Sequence, residues 1–232
     1  MRIYSIVLII FALGVGMVCA QQEISPLTAT NALQEMIVKM PTAVNPRIRL
    51  AMLFATNGNS ARALEVLEQA QEVIGRSNTT LLYTTGVVYL RDYKFFEALS
   101  NFKSVTTIDS NHFGALCNTG YISLIYLREP ESALLFFKRA QMFTTNNAEI
   151  YNYIGSAYIE IGTYDEAQSY FSNALTIAPE NADYRFNRGM TYYLMHQYDR
   201  AREEWNAVLS KNPEYEAAKQ AITMLSQEKS KE

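Results

Sequence analysis

The side chains best suited to chemistry are few in this sequence, and they lie far apart. Histidine and cysteine at short spacing could hold a metal ion or form a nucleophilic pair. His112 and His196 are the only histidines, and neither forms a metal-like arrangement with Cys117. A Gly-rich phosphate loop is also missing from the sequence, since Gly14 and Gly16 fall in an apolar N-terminal segment. The sequence therefore predicts a protein that is not an enzyme and that binds no metal or cofactor.

The carboxylates are numerous, but they are not arranged for acid–base catalysis. Most fall in the first turns of expected helices or on helix surfaces, where capping or solvation accounts for them. The 232-residue chain carries 20 Lys and Arg residues against 23 Asp and Glu residues, a net charge of −3. This balance lacks the basic excess that binds nucleic acids or anionic membranes, so neither is expected as a partner.

The first twenty residues have the pattern of an export signal. Arg2 gives a basic start, residues 3–20 carry no charge, and small residues stand at the end of that segment. We expect residues 1–20 to be a cleaved signal peptide, which predicts an exported protein, periplasmic or secreted, with no membrane insertion after cleavage. Two alternatives stay open. One is an uncleaved membrane anchor, because about 18 uncharged residues approach the length that spans a bilayer; the other is a lipid-modified Cys19, which Val18 disfavours.

One repeat period runs through most of the remaining chain. Residues 148–181 match residues 182–215 at an offset of 34, and alanines recur at intervals of 34 or 35 back to Ala63. Several matches at one offset indicate a repeat architecture, with five repeats between about residues 44 and 215. The matching pairs of the last two repeats are Gly155 and Gly189, Tyr158 and Tyr192, Tyr164 and Tyr198, Ala167 and Ala201, Phe171 and Trp205, and Pro179 and Pro213.

Each repeat has the pattern of two helices. In the fourth, apolar residues from Tyr151 to Tyr158 recur at helical spacing, and a glycine-containing turn follows. A second helix is expected from near Tyr164 to just before Pro179, because the residue preceding a proline disfavours helical geometry. The small residues Gly155 and Ala167 would let the two helix axes approach closely.

These residues resemble the tetratricopeptide repeat family. The positions that carry the resemblance in the fourth repeat are Tyr151, Ile154, Gly155, Tyr158, Gly162, Tyr164, Ala167, Phe171, Ala174 and Pro179. The resemblance implies an all-α fold, a right-handed superhelical solenoid of tetratricopeptide helix-turn-helix repeats. The five repeats are expected at about residues 44–78, 79–112, 113–147, 148–181 and 182–215. The first departs from the family pattern with Ala51 in place of the small glycine, and the third has one extra residue before Ala133, which predicts a longer turn.

Both ends of the repeat array are expected to carry a capping helix. At the N-terminal end, residues 21–43 hold an amphipathic segment that Ser25 and Pro26 would start. An alternative places this segment in the groove of the array as an internal plug. At the C-terminal end, residues 216–232 are expected to form a second capping helix followed by a charged tail.

The resemblance also predicts a binding groove, because in this family the first helix of each repeat lines the concave surface. Of the fifteen positions next to the buried stripes of these helices, thirteen are apolar or aromatic, against about seven expected from the 49% hydrophobic composition. Large apolar surfaces usually mark interaction sites. The residues predicted to bind a partner are Ile48, Met52, Tyr83, Val87, Leu90, Tyr121, Leu124, Asn152, Ile159, Phe186, Met190 and Tyr193.

Charged residues near the two ends of this groove are expected to set the direction of a bound segment. Arg49 and Arg91 lie toward one end, whereas Glu149, Glu160 and Asp183 lie toward the other. The Lys residues with which chaperone-docking members of the family hold a terminal carboxylate do not occur among the groove positions. The expected ligand is therefore an apolar or amphipathic segment.

The sequence thus predicts a protein–protein interaction scaffold or adaptor of the cell envelope, without enzyme activity, that binds another protein or a peptide segment. The alternative is a structural protein whose apolar stripe mediates homodimerisation or internal closure. A strict dimer that covers its apolar surface on association would favour the alternative.

Overall fold

The fold consists of helices throughout the described part of the chain. The structure, a computed structural model, describes residues 26–144 and 146–228, so the predicted signal segment, residues 1–20, lies outside the described residues. The twelve helices of the described residues are α1 (Pro26–Lys39), α2 (Val44–Thr56), α3 (Ser60–Ile74), α4 (Thr79–Arg91), α5 (Phe95–Ile108), α6 (Phe113–Ile125), α7 (Pro130–Gln141), α8 (Ala148–Ile161), α9 (Tyr164–Ile177), α10 (Ala182–Leu194), α11 (Tyr198–Lys211) and α12 (Glu216–Glu228). The predicted all-α class is confirmed.

Each of the five expected repeats holds two of these helices, and the two ends hold α1 and α12. We call the first helix of a repeat its A helix and the second its B helix. The turn between α6 and α7, residues 126–129, is longer than the corresponding turns of the other repeats, as the extra residue in the third repeat predicts. No helix among residues 26–144 and 146–228 has the length and apolar character needed to cross a membrane.

Asparagine side chains begin several of the A helices. The Oδ1 atoms of Asn78, Asn147 and Asn181 accept hydrogen bonds from backbone N–H groups in the first turns of α4, α8 and α10, at 3.0–3.2 Å. The first four N–H groups of a helix have no partner within the helix, so these caps stabilise the helix starts. In the third repeat, His112 takes this role, with its Nδ1 accepting from the Ala115 N–H at 3.1 Å.

A glycine on the A helix packs against a large side chain on the B helix in each of the last four repeats. A Cβ atom on Gly155 would lie 2.8 Å from the Phe171 ring, and one on Gly189 would lie 2.6 Å from the Trp205 indole. Both large side chains are buried. Glycine is required here by close packing, since any added carbon would displace a ring in a densely packed interior. The corresponding pairs of the second and third repeats are Gly86 with Phe102 and Gly120 with Phe137.

The helices fall into two compact units, divided inside α6 between residues 115 and 116. In the first unit, a core around Leu67 and Leu81 joins the first repeat to α4. In this unit the A helices α2 and α4 contact each other, and α1 packs against α2. None of the α1 side chains is buried, so this capping helix adds little to the core.

In the second unit, α8 and α10 contact each other, each packs with its own B helix, and α12 packs against α11. The core at the C-terminal end of this unit surrounds Trp205 and includes Val208, Ala218, Ala221 and Leu225. Helix α12 therefore covers apolar side chains that would otherwise be exposed at the end of the repeat array.

Candidate functional site

The predicted groove residues of the first unit are half-buried and take part in its internal packing. Ile48 and Met52 pack against the core of this unit. The Tyr83 ring lies 5.6 Å from the Phe102 ring and 4.8 Å from the His112 ring, and its hydroxyl end lies against Gly114. Tyr83 therefore packs α4 against the start of α6. Val87 and Leu90, on the same helix, are half-buried.

One predicted groove residue of the second unit belongs to the core. Leu124 is only 2% exposed, so it cannot line an accessible surface, and its assignment to the groove is corrected. Three other predicted groove residues pack partly against the core. The rings of Phe186 and Tyr193 each lie 6.1 Å from the Trp205 ring, and Met190 packs against the same cluster. All three keep part of their side chains accessible.

Apart from Leu124, the predicted groove residues of the second unit are half-buried side chains on the A helices α6, α8 and α10. Ile159 and Asn152 lie on α8, and the Asn187 Nδ2 donates to the Asn152 Oδ1 at 2.9 Å, which links α10 to α8. We call the surface formed by these side chains the unit 2 face. Its residues are Tyr121, Asn152, Ile159, Phe186, Met190 and Tyr193.

A partly buried carboxylate lies at the N-terminal end of α8. The capping oxygen of Asn147 accepts from the Glu149 N–H at 3.0 Å, which fixes the backbone at this point. The Tyr153 hydroxyl, one helical turn further, donates to the Glu149 Oε1 at 2.9 Å. The spacing of four residues places both side chains on the same side of the helix.

Aromatic rings surround Tyr153, the hydrogen-bond donor to Glu149. The Phe137 ring stacks on the Tyr153 ring, with centroids 5.1 Å apart and planes within 9°. The Tyr121 ring lies 6.0 Å away at an interplanar angle of 64°. Tyr121 thereby connects the unit 2 face to the pair formed by Glu149 and Tyr153.

The charge of Glu149 affects titratable groups on all three A helices of the second unit. Burial, with a further contribution from the Glu149 charge, raises the pKa of Cys117 on α6 and of Tyr184 on α10 to about 12 each. The pKa of Tyr153 on α8 rises for the same reasons, and also because its hydroxyl donates to the carboxylate. Burial raises the pKa of Glu149 itself, against the opposing effect of the Tyr153 hydrogen bond.

The fifth repeat carries a second carboxylate–tyrosine pair at the equivalent position. Asp183 on α10 stands 34 residues after Glu149, and its Oδ1 accepts from the Tyr215 hydroxyl at 2.6 Å. Burial and this hydrogen bond raise the pKa of Tyr215. Both carboxylates therefore have a tyrosine donor.

The other charges expected to orient a ligand have different surroundings. Arg49 is exposed and Arg91 is half-buried, both in the first unit. Glu160 forms an ion pair with Arg128, with Nη1 and Oε2 3.6 Å apart, in the second unit.

Two observations among the described residues bear on metal binding and on nucleophilic chemistry. Residues 26–144 and 146–228 contain no group of three or more His, Cys, Asp or Glu side chains that could hold a metal ion. The Cys117 thiol is buried, and its raised pKa keeps it protonated at neutral pH, which removes the thiolate that a nucleophile needs. Tyr153 and Tyr184 are the site residues that sequence reasoning missed. Tyr153 lies four residues after Glu149 on the same helix, and this spacing could have predicted its contact with the carboxylate.

Comparison with known proteins finds one repeat family and several proteins that this chain resembles. The family model of the tetratricopeptide repeat matches residues 158–225. BBSome complex member BBS4 from Bos taurus is 25% identical over 166 residues, which make up 72% of this chain and 32% of that protein. The chain thus spans about a third of the length of this relative.

Two solved structures match this chain over most of their own length, unlike BBS4. The structure of YrrB, described as a TPR protein with an unusual peptide-binding site, is 25% identical and covers 84% of this chain and 99% of its own, with a TM-score of 0.69. PilF from Pseudomonas aeruginosa is 16% identical and covers 86% of this chain and 90% of its own, with a TM-score of 0.73. The PilF likeness shows the fold, and together these structures confirm the predicted solenoid class.

Proposed function

Because this chain is built from tetratricopeptide repeats, we propose that it is a non-enzymatic interaction scaffold whose unit 2 face binds an apolar or amphipathic segment of another protein. Tetratricopeptide repeat proteins in general bind other proteins or peptides. The proposal goes further in assigning the binding to one face of this chain and in excluding catalysis.

The observation that carries the proposal is the composition and partial exposure of the unit 2 face. Five of its six residues are apolar or aromatic, and all six are half-buried on the A helices of one compact unit. Phe186, Met190 and Tyr193 pack on the core around Trp205, so they are held in place before a partner arrives, and their exposed portions can still lose water-accessible area on binding. Rigid apolar and aromatic side chains of this kind dominate the energetics of peptide recognition.

The likeness to YrrB gives this proposal further support. That protein is described as having a peptide-binding site, and the two sequences are 25% identical over nearly the whole of YrrB. A related repeat array can therefore bind a peptide. The position of that site on this chain remains part of the proposal.

Site-specific photo-crosslinking tests the binding face. A photoreactive amino acid replaces Ser156, a half-buried residue one helical turn after Asn152 of the unit 2 face, and in a matched variant replaces Leu135, an exposed residue on the B helix α7. We expect the Ser156 variant to form crosslinks to apolar or amphipathic segments of one partner protein in the native cells, identified by mass spectrometry. Crosslinks to a partner from position 135 alone would contradict the assignment.

A substitution in the same face gives a second test of the proposal. Met190→Glu places a charge among Phe186 and Tyr193, and it should weaken capture of the crosslinked partner at least tenfold, since a buried unpaired charge opposes docking. Leu135→Glu is the control, because its side chain is 60% exposed on another helix. Equal capture by both variants would contradict the proposal.

We also propose that the scaffold acts in the cell envelope after removal of residues 1–20. The support is the basic start, the uncharged apolar run and the small residues at its end. N-terminal sequencing of the protein from fractionated native cells should find a chain that begins near Gln21 in an envelope or secreted fraction. An intact N-terminus in a membrane fraction would favour the anchor instead.

Homodimerisation is the second candidate, and exposed apolar side chains outside the unit 2 face favour it. Val38 on α1 is 81% exposed, and Met142 at the end of α7 is 79% exposed. Light scattering of the purified protein distinguishes the candidates. A strict dimer in which position 156 crosslinks only to copies of the same chain would replace the scaffold proposal.

A further inference from the structure

Glu149, a partly buried carboxylate of the second unit, has no cation beside it, and in this it differs from Glu204. Glu204 on α11 has two, since its carboxylate lies 2.6 Å from the Arg188 Nη2 and 3.6 Å from the Arg185 Nη1. Among the ion pairs of residues 26–144 and 146–228, none includes Glu149. Buried charges in proteins are normally paired, so an unpaired one needs an explanation.

Neither the tyrosine hydrogen bond nor the helix cap requires the Glu149 charge. The hydrogen bond from the Tyr153 hydroxyl needs only an acceptor oxygen, which a glutamine amide supplies equally well. The cap of α8 is provided by Asn147, whose side chain accepts from the backbone N–H groups of Glu149 and Ile150. The positive end of the α8 dipole favours a carboxylate in this first turn, but burial disfavours the charge, and no cation of residues 26–144 and 146–228 pairs with it.

The surroundings of this charge fit a cationic side chain from outside. Burial, with a contribution from the Glu149 charge, raises the pKa values of Cys117, Tyr153 and Tyr184, which lie on the three A helices that carry the unit 2 face. The Tyr121 ring lies beside the Tyr153 ring, and it belongs to that face. Planar guanidinium groups pair with carboxylates and stack on aromatic rings, and they are more weakly hydrated than ammonium groups.

We propose that Glu149 binds an arginine side chain of the partner segment, with Tyr121 beside the guanidinium group, at the end of the unit 2 face where α8 begins. This inference rests on the proposed function, because the arginine arrives as part of a segment bound to that face. It specifies the chemistry of the partner: an apolar or amphipathic segment with one arginine in a defined register.

Peptide selection with the full chain provides the test. A display library of random 12-residue peptides is selected on the wild-type protein, and the selected peptides are synthesised with each arginine kept or replaced by citrulline, which has the same shape without the charge. Each pair is then measured on the wild type, on Glu149→Gln and on Glu203→Gln. Glu203 is the control because it is an exposed carboxylate on the B helix α11. Circular dichroism checks that both variants are folded.

The expected result is a coupling between one peptide position and one residue. On the wild type and on Glu203→Gln, the arginine peptide should bind at least about tenfold more tightly than its citrulline form, as measured couplings of close interfacial charge pairs indicate. On Glu149→Gln the two forms should bind alike.

The other outcomes separate this inference from the proposed function. Selected peptides that bind the unit 2 face with no arginine preference, or with a preference that Glu149→Gln leaves unchanged, overturn the arginine site alone. Peptides that prefer lysine and lose that preference in Glu149→Gln overturn the choice of arginine. Selection of no peptide at all, or of peptides that Met190→Glu binds as well as the wild type, overturns the proposed function and this inference with it.

Discussion

At the scale of single residues, glycine and the large side chain facing it form a matched pair in the last four repeats. Four repeats have glycine opposite Phe or Trp, whereas the first has Ala51, and the buried side chain at the equivalent B-helix position is the smaller Leu67. An alanine is tolerated where the opposing side chain leaves room for its Cβ. The departure of the first repeat from the family pattern is thus explained by volume.

Substitution of Gly155 tests this matching of volumes. Gly155→Ala places a Cβ atom 2.8 Å from the Phe171 ring, and it should lower the free energy of unfolding by about 1–3 kcal/mol, as overpacked cores do. In the Phe171→Leu background, the same substitution should cost less, because the smaller side chain gives way. Urea unfolding of the two single variants and the double variant measures the coupling, and additive effects would contradict the explanation.

Glu149 is a second residue whose role can be tested through stability. Its pKa in the folded protein is raised above the ordinary value of 4.5, so the folded state binds more protons than the unfolded state between these two values. Stability contributed by this group is therefore lost as the pH rises through the raised pKa, and the loss persists at neutral pH.

Glu149→Gln removes this loss while keeping the acceptor for the Tyr153 hydroxyl. At pH 7 the variant should be more stable than the wild type toward urea, and the difference should shrink at pH 4, where the wild-type carboxyl group is mostly protonated. Glu203→Gln should show no comparable pH-dependent difference. A Glu149→Gln variant less stable than the wild type at pH 7 would show that the charge is used inside the chain, which would also remove the main support for the arginine site.

At the scale of helices, capping residues determine where the A helices start. Asn78, Asn147 and Asn181 each occupy the position just before an A helix and accept from its first turn. The turns between repeats are short, so a helix that starts one residue early or late would rotate its apolar stripe away from its neighbours. Capping therefore contributes to the register of packing as well as to the stability of each helix.

Removal of one cap should have a measurable cost. Asn181→Ala deprives the Tyr184 N–H of its 3.0 Å hydrogen bond, and it should lower the free energy of unfolding by about 1 kcal/mol. Asn173→Ala is the matched control, because Asn173 is an exposed residue within α9 and alanine is the better helix former there. Equal effects of the two substitutions in urea unfolding would contradict the capping role.

At the scale of the whole molecule, the two ends of the array are covered to different degrees. Helix α12 contributes Ala218, Ala221 and Leu225 to the core around Trp205, whereas α1 has no buried side chain. The C-terminal cap therefore stabilises the fold more than the N-terminal cap does.

Equivalent truncations at the two ends should show this difference. Leu225→Ala removes a side chain that is 1% exposed, and it should cost about 2–5 kcal/mol. Leu33→Ala, in the half-buried face of α1, should cost about 1 kcal/mol or less. Similar losses in urea unfolding would show that α1 is held more firmly than its burial indicates.

Much of the fold could be predicted from the sequence, because the helices and contacts within a repeat depend on residues that are close together along the chain. The spacing of Gly155, Ala167 and Phe171 predicts two helices in close contact, and the structure has that contact. The extra residue of the third repeat predicts its longer turn. The candidate site could be predicted only in part. Tyr153 and Tyr184 occupy positions at which the repeat pattern predicts ordinary core residues.

By itself, the sequence determined the repeat period, the helical class and the residues that pack the A helix against the B helix of a repeat. All of these depend on residue spacing along one or two helices. Only the tertiary structure decided that Leu124 is core, that Tyr83 packs against His112 and Gly114, and that no cation stands beside Glu149 among the described residues. The physical reason is that accessibility and charge pairing depend on side chains from neighbouring helices. Their distances are set by packing and cannot be derived from the period of one repeat.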